Sequence, residues 1–214
     1  MIRLKNRRVR LAPAPLTPIG TRKGPIAAAL GRATTSLPSM SDNTTILGLD
    51  PGTRYLGFAL IRGPELLEYG VHELRNGERP YDVVGQAREA VLRLIARHAP
   101  KIVAIEQPFR LATPRAAVLS TLTQEIHQRA KEVGACVVEL GPAEVRERLT
   151  RDSKATKYAV AQWLARERHP ELARLVPQRP KIPALWLTSR ERYWLHMFDA
   201  LALAEVAALQ TQMG

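Results

Sequence analysis

The stretch ILGLDPGTRYLGFALI, residues 46–61, begins as an apolar strand and ends that strand in a carboxylate, Asp50. Pro51 and Gly52 follow directly and mark a turn, after which a second apolar run begins at Tyr55. A buried carboxylate without a partner is costly in free energy. An acid at the end of a buried strand therefore needs a partner, which the rest of the chain must supply.

The sequence around this stretch predicts five strands and four helices. The strands are expected at residues 44–50, 55–63, 65–74, 101–107 and 135–140. The helices are expected at residues 81–98, 114–133, 155–168 and 188–210, the last with Thr188 and Glu191 as a capping box. Short connections predict an antiparallel meander for the first three strands, and the nearly all-apolar KIVAIEQ predicts a strand covered on both faces. The fold class expected is α/β: a mixed five-stranded sheet flanked by helices, in one domain at residues 44–214.

Composition limits the function. The chain has 214 residues, a net charge of +12 and a pI near 10.5, which favours a polyanionic partner such as nucleic acid. The single cysteine, Cys136, excludes an intrachain disulfide and a zinc site built from cysteines. No apolar run approaches the roughly 20 residues that span a bilayer, so a soluble globular protein is expected.

The first 41 residues differ from the rest. They hold eight basic residues and no acid, which leaves +4 of the total +12 for the remainder. We expect residues 1–43 to be a disordered basic extension. It could be a DNA-binding arm, a transit peptide, or the product of a mis-assigned start, which we favour because Met40 directly precedes the first strand. A cytoplasmic, nucleoid-associated location is expected, or an organellar matrix if residues 1–40 are a transit peptide.

Three carboxylates occupy positions where an apolar residue would be expected. Asp50 ends the first strand, Glu106 ends the strand in IVAIEQPF, and Asp199 lies on the apolar helix HMFDALALAEVAAL. If strands one and four are adjacent, Asp50 and Glu106 come close together. A helix packed across that edge would add Asp199 and also His196, which lies three residues earlier on the same helical face. Hard oxygen ligands with one imidazole suit Mg²⁺ or Mn²⁺.

Each of these residues also has a structural interpretation. An aspartate before Pro-Gly is often a turn residue, Glu106 could pair with a basic neighbour, and a helical histidine is often on the surface. Asp199 is harder to explain in this way because its neighbours are apolar. The joint pattern of three acids and a histidine is more specific than any one of them.

The three acidic segments resemble motifs of a known family. ILGLDPGTRYLGFALI, IVAIEQPF and HMFDALALAEVAA are similar, in order and spacing, to the three acidic motifs of the RuvC family of Holliday junction resolvases, within the RNase H-like superfamily. The resemblance covers residues 45 to about 209. It implies that Asp50, Glu106, His196 and Asp199 form the catalytic, metal-binding set, with two Mg²⁺ ions per active site and Mn²⁺ as the alternative.

The resemblance also implies a substrate and partners. It implies an endonuclease that hydrolyses phosphodiester bonds of branched DNA in recombination and repair, acts as a homodimer, and works with a branch-migration helicase. The DNA contacts it implies are Phe109, Arg110, Arg146, Lys154 and Lys157. Phe109 could equally be a core or dimer-interface aromatic, and the basic residues could be solvated surface charges.

Three other functions remain open from the sequence. The Asp-x-Gly-Thr of the first strand is also found in sugar kinases and actin-like ATPases, but these need a second lobe for which the chain has no room. A RuvX (YqgF)-type nuclease acting on ribosomal RNA precursors shares that opening, but that class is expected to have a Gly-Leu-Pro-like strand end where this chain has Ile105-Glu106-Gln107. A non-catalytic nucleic-acid-binding module of the same fold is disfavoured because all four ligand positions are filled.

Overall fold

The sheet is built around the opening stretch of the sequence. The computed structural model describes residues 44–74, 80–107, 113–177 and 189–212. The five strands are β1 (Thr45–Pro51), β2 (Tyr55–Arg62), β3 (Glu65–Glu73), β4 (Ile102–Glu106) and β5 (Cys136–Leu140). Their order across the sheet is β3-β2-β1-β4-β5, so β1 is the central strand.

The strands pair in two ways. β1, β2 and β3 form the predicted antiparallel meander, while β4 pairs in parallel with both β1 and β5. Parallel pairing requires a crossover connection, which a helix provides in each case. The sheet is therefore mixed and five-stranded, as predicted.

The helices cover both faces of the sheet. They are α1 (Pro80–His98), α2 (Pro114–Glu132), α3 (Pro142–Thr150), α4 (Lys157–Glu167) and α5 (Ser189–Gln212), with a short 3₁₀ helix at Pro170–Leu175. Because side chains alternate along a strand, Leu47 and Leu49 join one apolar core with α1 and α2. Ile46 and the other face of the sheet join a second core with α3, α4 and α5.

Helix α5 lies directly on the central strands because glycines make room for it. A Cβ atom on Gly48 would lie 2.0 Å from the carbonyl oxygen of Ala200, and one on Gly57 would lie 2.0 Å from that of His196. No side chain can be accommodated at such distances without moving the helix. These two glycines therefore set the distance between α5 and the sheet.

Helix α3 is the main departure from the predicted element order. The sequence predicted one helix between β5 and the last helix, but α3 comes first, from Pro142 to Thr150. Only Val145 and Leu149 are buried along it, and its N-cap, Gly141, has no side chain to cap it. A nine-residue helix with two buried positions gives a weak periodic signal.

Two sequence predictions concern residues outside the described part of the chain. The basic extension at residues 1–43 is one, and the Thr188 cap of the last helix is the other. Among the described residues, no helix is long and apolar enough to cross a membrane.

Candidate active site

Asp50 and Glu106 lie at adjacent strand ends. β1 and β4 run parallel, with Leu49 opposite Ile105, so the next residues on the two strands are Asp50 and Glu106. Side chains alternate along a strand, so Asp50 lies on the same face of β1 as Gly48 and Ile46. This is the face that α5 covers. The carboxyl ends of the two central strands therefore bring two acids together beneath α5.

Helix α5 brings His196 to Asp50. The strand partner of Asp50 on β2 is Gly57, and the backbone of His196 lies directly over that glycine. The Nδ1 atom of His196 is 2.5 Å from Oδ2 of Asp50, and the Asp50 side chain is only 10% exposed. The missing side chain of Gly57 is thus what allows this contact.

Asp199 is paired with Lys157 of α4. It lies one turn after His196 on α5, and the Nζ atom of Lys157 donates a hydrogen bond to its Oδ2 atom. Thr156 caps α4 by accepting a hydrogen bond from the N–H of Ala159, which fixes the start of the helix where Lys157 stands. The Lys157 side chain is 49% exposed, whereas Asp199 is 17% exposed.

The acids influence one another electrostatically. Burial first, and then the charge of Asp50, raise the pKa of Glu106 to about 7 against the opposing effect of Lys157. Burial also raises the pKa of Asp199, because Lys157 offsets only part of that effect and Asp50 adds to it. Burial lowers the pKa of Lys157, but the negative charges of Asp199, Asp50 and Glu106 outweigh it and raise the pKa. Burial and the mutual repulsion of the three carboxylates thus both favour a proton or a cation at this site.

Besides Lys157, the residues predicted to contact DNA fall into three groups. Arg146 on α3 is close enough for its charge to lower the pKa of Glu106, so it faces the acids. Lys154 is exposed in the turn before α4, where its backbone N–H donates to Asp152. Phe109 and Arg110 lie outside the described residues.

Two tyrosines that the sequence did not single out support His196. The ring of Tyr55 lies 5.5 Å from the His196 ring, and Tyr193 packs edge-on against Tyr55 at 5.9 Å. The hydroxyl of Tyr193 donates to the carbonyl oxygen of Val71, which anchors this aromatic pair to β3. Tyr193 is three residues before His196 on α5, a spacing that places both residues on the helix face that contacts Tyr55.

The four predicted ligands fit a divalent cation by their chemistry. Three carboxylates and an imidazole offer the hard oxygen and nitrogen donors that such ions accept. In the described part of the chain, no three His, Cys, Asp or Glu side chains already form a metal-binding group. His196 and Lys157 instead occupy oxygens of Asp50 and Asp199. The role of the four residues as ligands stays a prediction.

Comparison with known proteins places the chain in a family. The family model "Crossover junction endodeoxyribonuclease RuvC" matches residues 46–167, more than half of the chain. A protein of that name from Bacteroides fragilis is 30% identical in an alignment of 138 positions that covers 58% of this chain and 69% of the relative.

Solved structures support the same fold. The RuvC structure from Thermus thermophilus superposes with a TM-score of 0.60 at 24% identity, covering 80% of this chain and 97% of the other. The same protein solved in complex with a Holliday junction substrate gives a TM-score of 0.56 at 24% identity, with the same coverage. The predicted RNase H-like fold is confirmed.

These findings also confirm the predicted activity, which is endonucleolytic cleavage of crossover (four-way) DNA junctions. They do not favour the ribosomal RNA nuclease or the non-catalytic module. The family's enzymes are metal-dependent nucleases. The chain belongs to the RuvC family of crossover junction endodeoxyribonucleases.

Proposed function

We propose that this chain resolves Holliday junctions with a metal centre at the carboxyl ends of β1 and β4. The ligands in this proposal are Asp50, Glu106, His196 and Asp199. The observation that carries it is the close placement of buried carboxylates there, where burial first and then the charge of Asp50 raise the pKa of Glu106 to about 7. A divalent cation would relieve that repulsion, and we propose two Mg²⁺ ions, with Mn²⁺ as the alternative.

The reaction in this proposal is hydrolysis of one phosphodiester bond per strand. Water adds to phosphorus in line with the 3′ oxygen, and the P–O3′ bond breaks to leave a 5′-phosphate and a 3′-hydroxyl. Cations held by the four proposed ligands would polarise the attacking water and stabilise the departing oxygen. Asp50, which is on the central strand and contacts His196, is the proposed ligand at the centre of this group.

The basic side chains hold the substrate in this proposal. Lys157 is half exposed beside Asp199, so its ammonium can contact a scissile phosphate while it remains near the acids. Arg146, next to Glu106, is the second phosphate contact. Lys154, Phe109 and Arg110 are assigned to the DNA backbone and junction centre. Phosphate contacts make the affinity depend on salt concentration.

A homodimer belongs to the same proposal. Resolution needs two symmetric cuts, and a two-fold dimer of residues 44–214 would present two active sites to the two strands. A branch-migration helicase would be the further partner. Both are inferred from the reaction rather than from contacts in the chain.

The test is cleavage by the purified protein with Mg²⁺ on a four-way junction, a linear duplex of the same sequence and a structured RNA. We expect cuts only in the four-way junction, at symmetrically paired positions in two of its strands. The Asp50→Asn protein is the control and should bind the junction without cutting it. Preferential cutting of RNA would support the ribosomal RNA nuclease instead, and binding without cutting by the unaltered protein would support the non-catalytic module.

A further inference from the structure

Glu205 is a second buried acid on α5, six residues after Asp199. Its side chain is 1% exposed, and its neighbours from Ala200 to Ala208 are all buried. The carboxylate is fully partnered: Nε2 of His169 lies 2.8 Å from its Oε1, and the guanidinium of Arg168 donates to its Oε2 at 2.7 and 2.8 Å. We call Glu205, Arg168 and His169 the α4–α5 clamp.

The clamp attaches to the end of α4 that lies away from the active site. Arg168 and His169 directly follow the last residue of α4, and the backbone N–H groups of both donate to the carbonyl oxygen of Leu164. Nδ1 of His169 also lies 3.4 Å from Glu171 in the 3₁₀ helix. The clamp therefore joins α5 to a rigid helix end rather than to a loose loop.

The opposite end of α4 carries Lys157, which contacts Asp199 on α5. In the described part of the chain, α4 and α5 are thus joined by a polar contact at each end of α4. The two contacts lie about 16 Å apart along α4 and about 9 Å apart along α5, given the rise of an α-helix. Two contacts at separate points restrain both the sliding and the rotation of α4 against α5.

The surface between the two polar contacts is apolar. On α4 it consists of Val160, Ala161, Leu164 and Ala165, and on α5 mainly of alanine and leucine. Apolar contacts are non-directional, and small side chains offer few interlocking features. Directional hydrogen bonds to a buried charge specify one arrangement where packing allows several.

We propose that Glu205 is a positioning residue that acts through Lys157: the α4–α5 clamp fixes α4 so that the ammonium of Lys157 stays on Asp199. This inference rests on the proposed role of Lys157 in cleavage. A small displacement of a catalytic group has a large effect on rate, since about 1 Å can cost on the order of 100-fold.

The first test is a double-mutant cycle on junction cleavage. The proteins are the unaltered chain, Glu205→Gln, Lys157→Met and the double variant, assayed at a temperature at which circular dichroism shows all to be folded. Glu205→Gln should lower kcat roughly tenfold in the unaltered background and less than about twofold in the Lys157→Met background. Equal losses in both backgrounds would mean that Glu205 does not act through Lys157 and would overturn the proposal.

The second test needs no cleavage. In protein with ¹⁵N-labelled lysine, the ammonium signal of Lys157 is assigned by its loss in Lys157→Met. Glu205→Gln should shift or broaden that signal, and an unchanged signal would contradict the proposal. If the signal moves while Asp50→Asn still cuts junctions, the proposed metal site fails and the clamp stands.

Two further variants separate positioning from general loss of stability. Arg168→Met keeps the aliphatic stem and leaves His169 on Glu205, so it should show the same pattern at smaller size. Leu94→Ala removes a buried side chain from α1, on the other face of the sheet, and should lower the melting temperature without moving the Lys157 signal. If Leu94→Ala moved that signal as far as Glu205→Gln does, the effect would be general destabilisation and the proposal would be wrong.

Discussion

Asp199 and Glu205 are two acids on one apolar helix, and their surroundings differ. Both oxygens of Glu205 are bound by the cationic or donor groups of Arg168 and His169. Asp199 has Lys157, but the charge of that lysine is shared with Asp50 and Glu106. One acid is balanced by its own partners, whereas the other belongs to a group of three clustered carboxylates, here called surplus because burial and their mutual repulsion raise the pKa of Glu106 and Asp199.

This difference distinguishes a structural acid from a functional one. A balanced buried ion pair fixes packing and needs nothing further from the solvent. A surplus of carboxylates destabilises the folded protein until a proton or cation neutralises it, and such sites are where catalytic groups are found. Removing each acid should therefore have opposite consequences for activity and stability.

The largest expected effect is on catalysis. Asp50→Asn and Asp199→Asn keep the side-chain volume but remove one negative charge from the surplus group. We expect junction cleavage with Mg²⁺ to fall at least about 1,000-fold, because a ligand of the proposed metal centre is lost. Single-turnover cleavage assays measure the fall, and the melting temperature should change by only a few degrees.

Glu205→Gln is the matched comparison for that experiment, since it makes the same chemical change six residues later on the same helix. Its cleavage should fall roughly tenfold at most, through Lys157. If Glu205→Gln lost as much activity as Asp199→Asn, the distinction between balanced and surplus acids would not hold.

The second effect is on stability. Glu205→Gln breaks a buried ion pair and leaves Arg168 and His169 without their carboxylate, which should cost about 3 kcal/mol in the free energy of unfolding. Denaturant unfolding followed by circular dichroism measures it, with Gln210→Ala as the control, because the Gln210–Glu144 hydrogen bond of α5 is exposed. A change for Glu205→Gln as small as that for Gln210→Ala would show that the clamp does not stabilise the fold.

Much of the fold could be predicted from the sequence. The five strands and the antiparallel meander follow from apolar runs and turn residues, which are local signals. Helix α3 could not be predicted, because two buried residues, Val145 and Leu149, leave no clear period. The close approach of α5 at Gly57 was also missed, since a glycine in a strand does not indicate which backbone will lie over it.

The acids of the candidate site could be predicted from the sequence, but their charge partners could not. Three acids at positions where apolar residues are expected indicated the acidic cluster. The sequence does not indicate the charge partner of Asp199 or of Glu205. The Lys157–Asp199 contact spans 42 residues and the Arg168–Glu205 contact spans 37. Balanced and surplus acids cannot be distinguished in the sequence. Glu205 could therefore be recognised as a balanced acid only from the contacts between α4 and α5.

The third effect is a pH dependence of stability in metal-free protein. The pKa of Glu106 is about 7 in the folded chain, above its ordinary value of 4.5, so the folded state binds that proton more tightly than the unfolded state does. The resulting stabilisation is complete below about pH 4.5 and is lost as the pH rises to about 7. It amounts to at most about 3 kcal/mol.

Denaturant midpoints measured in EDTA between pH 4.5 and 8 test this dependence. Glu106→Gln, which cannot titrate, should show a flatter profile than the unaltered chain across that interval. If the denaturant midpoints of the two proteins changed equally with pH, Glu106 would not be held protonated in the folded chain.

The smallest effect is stabilisation by the cation itself, and it compares the two acids most directly. A divalent ion at 100 times its dissociation constant should add about 2.7 kcal/mol to the free energy of unfolding, or roughly 5–10 °C in melting temperature for a domain of this size. Thermal melts with Mg²⁺ or Mn²⁺, against NaCl of equal ionic strength, measure the gain. Asp199→Asn should lose most of it because the surplus charge is reduced and a ligand is gone, whereas Glu205→Gln should keep it because its carboxylate was already balanced. Equal gains for both variants would place the cation elsewhere on the molecule and separate the surplus charge from metal binding.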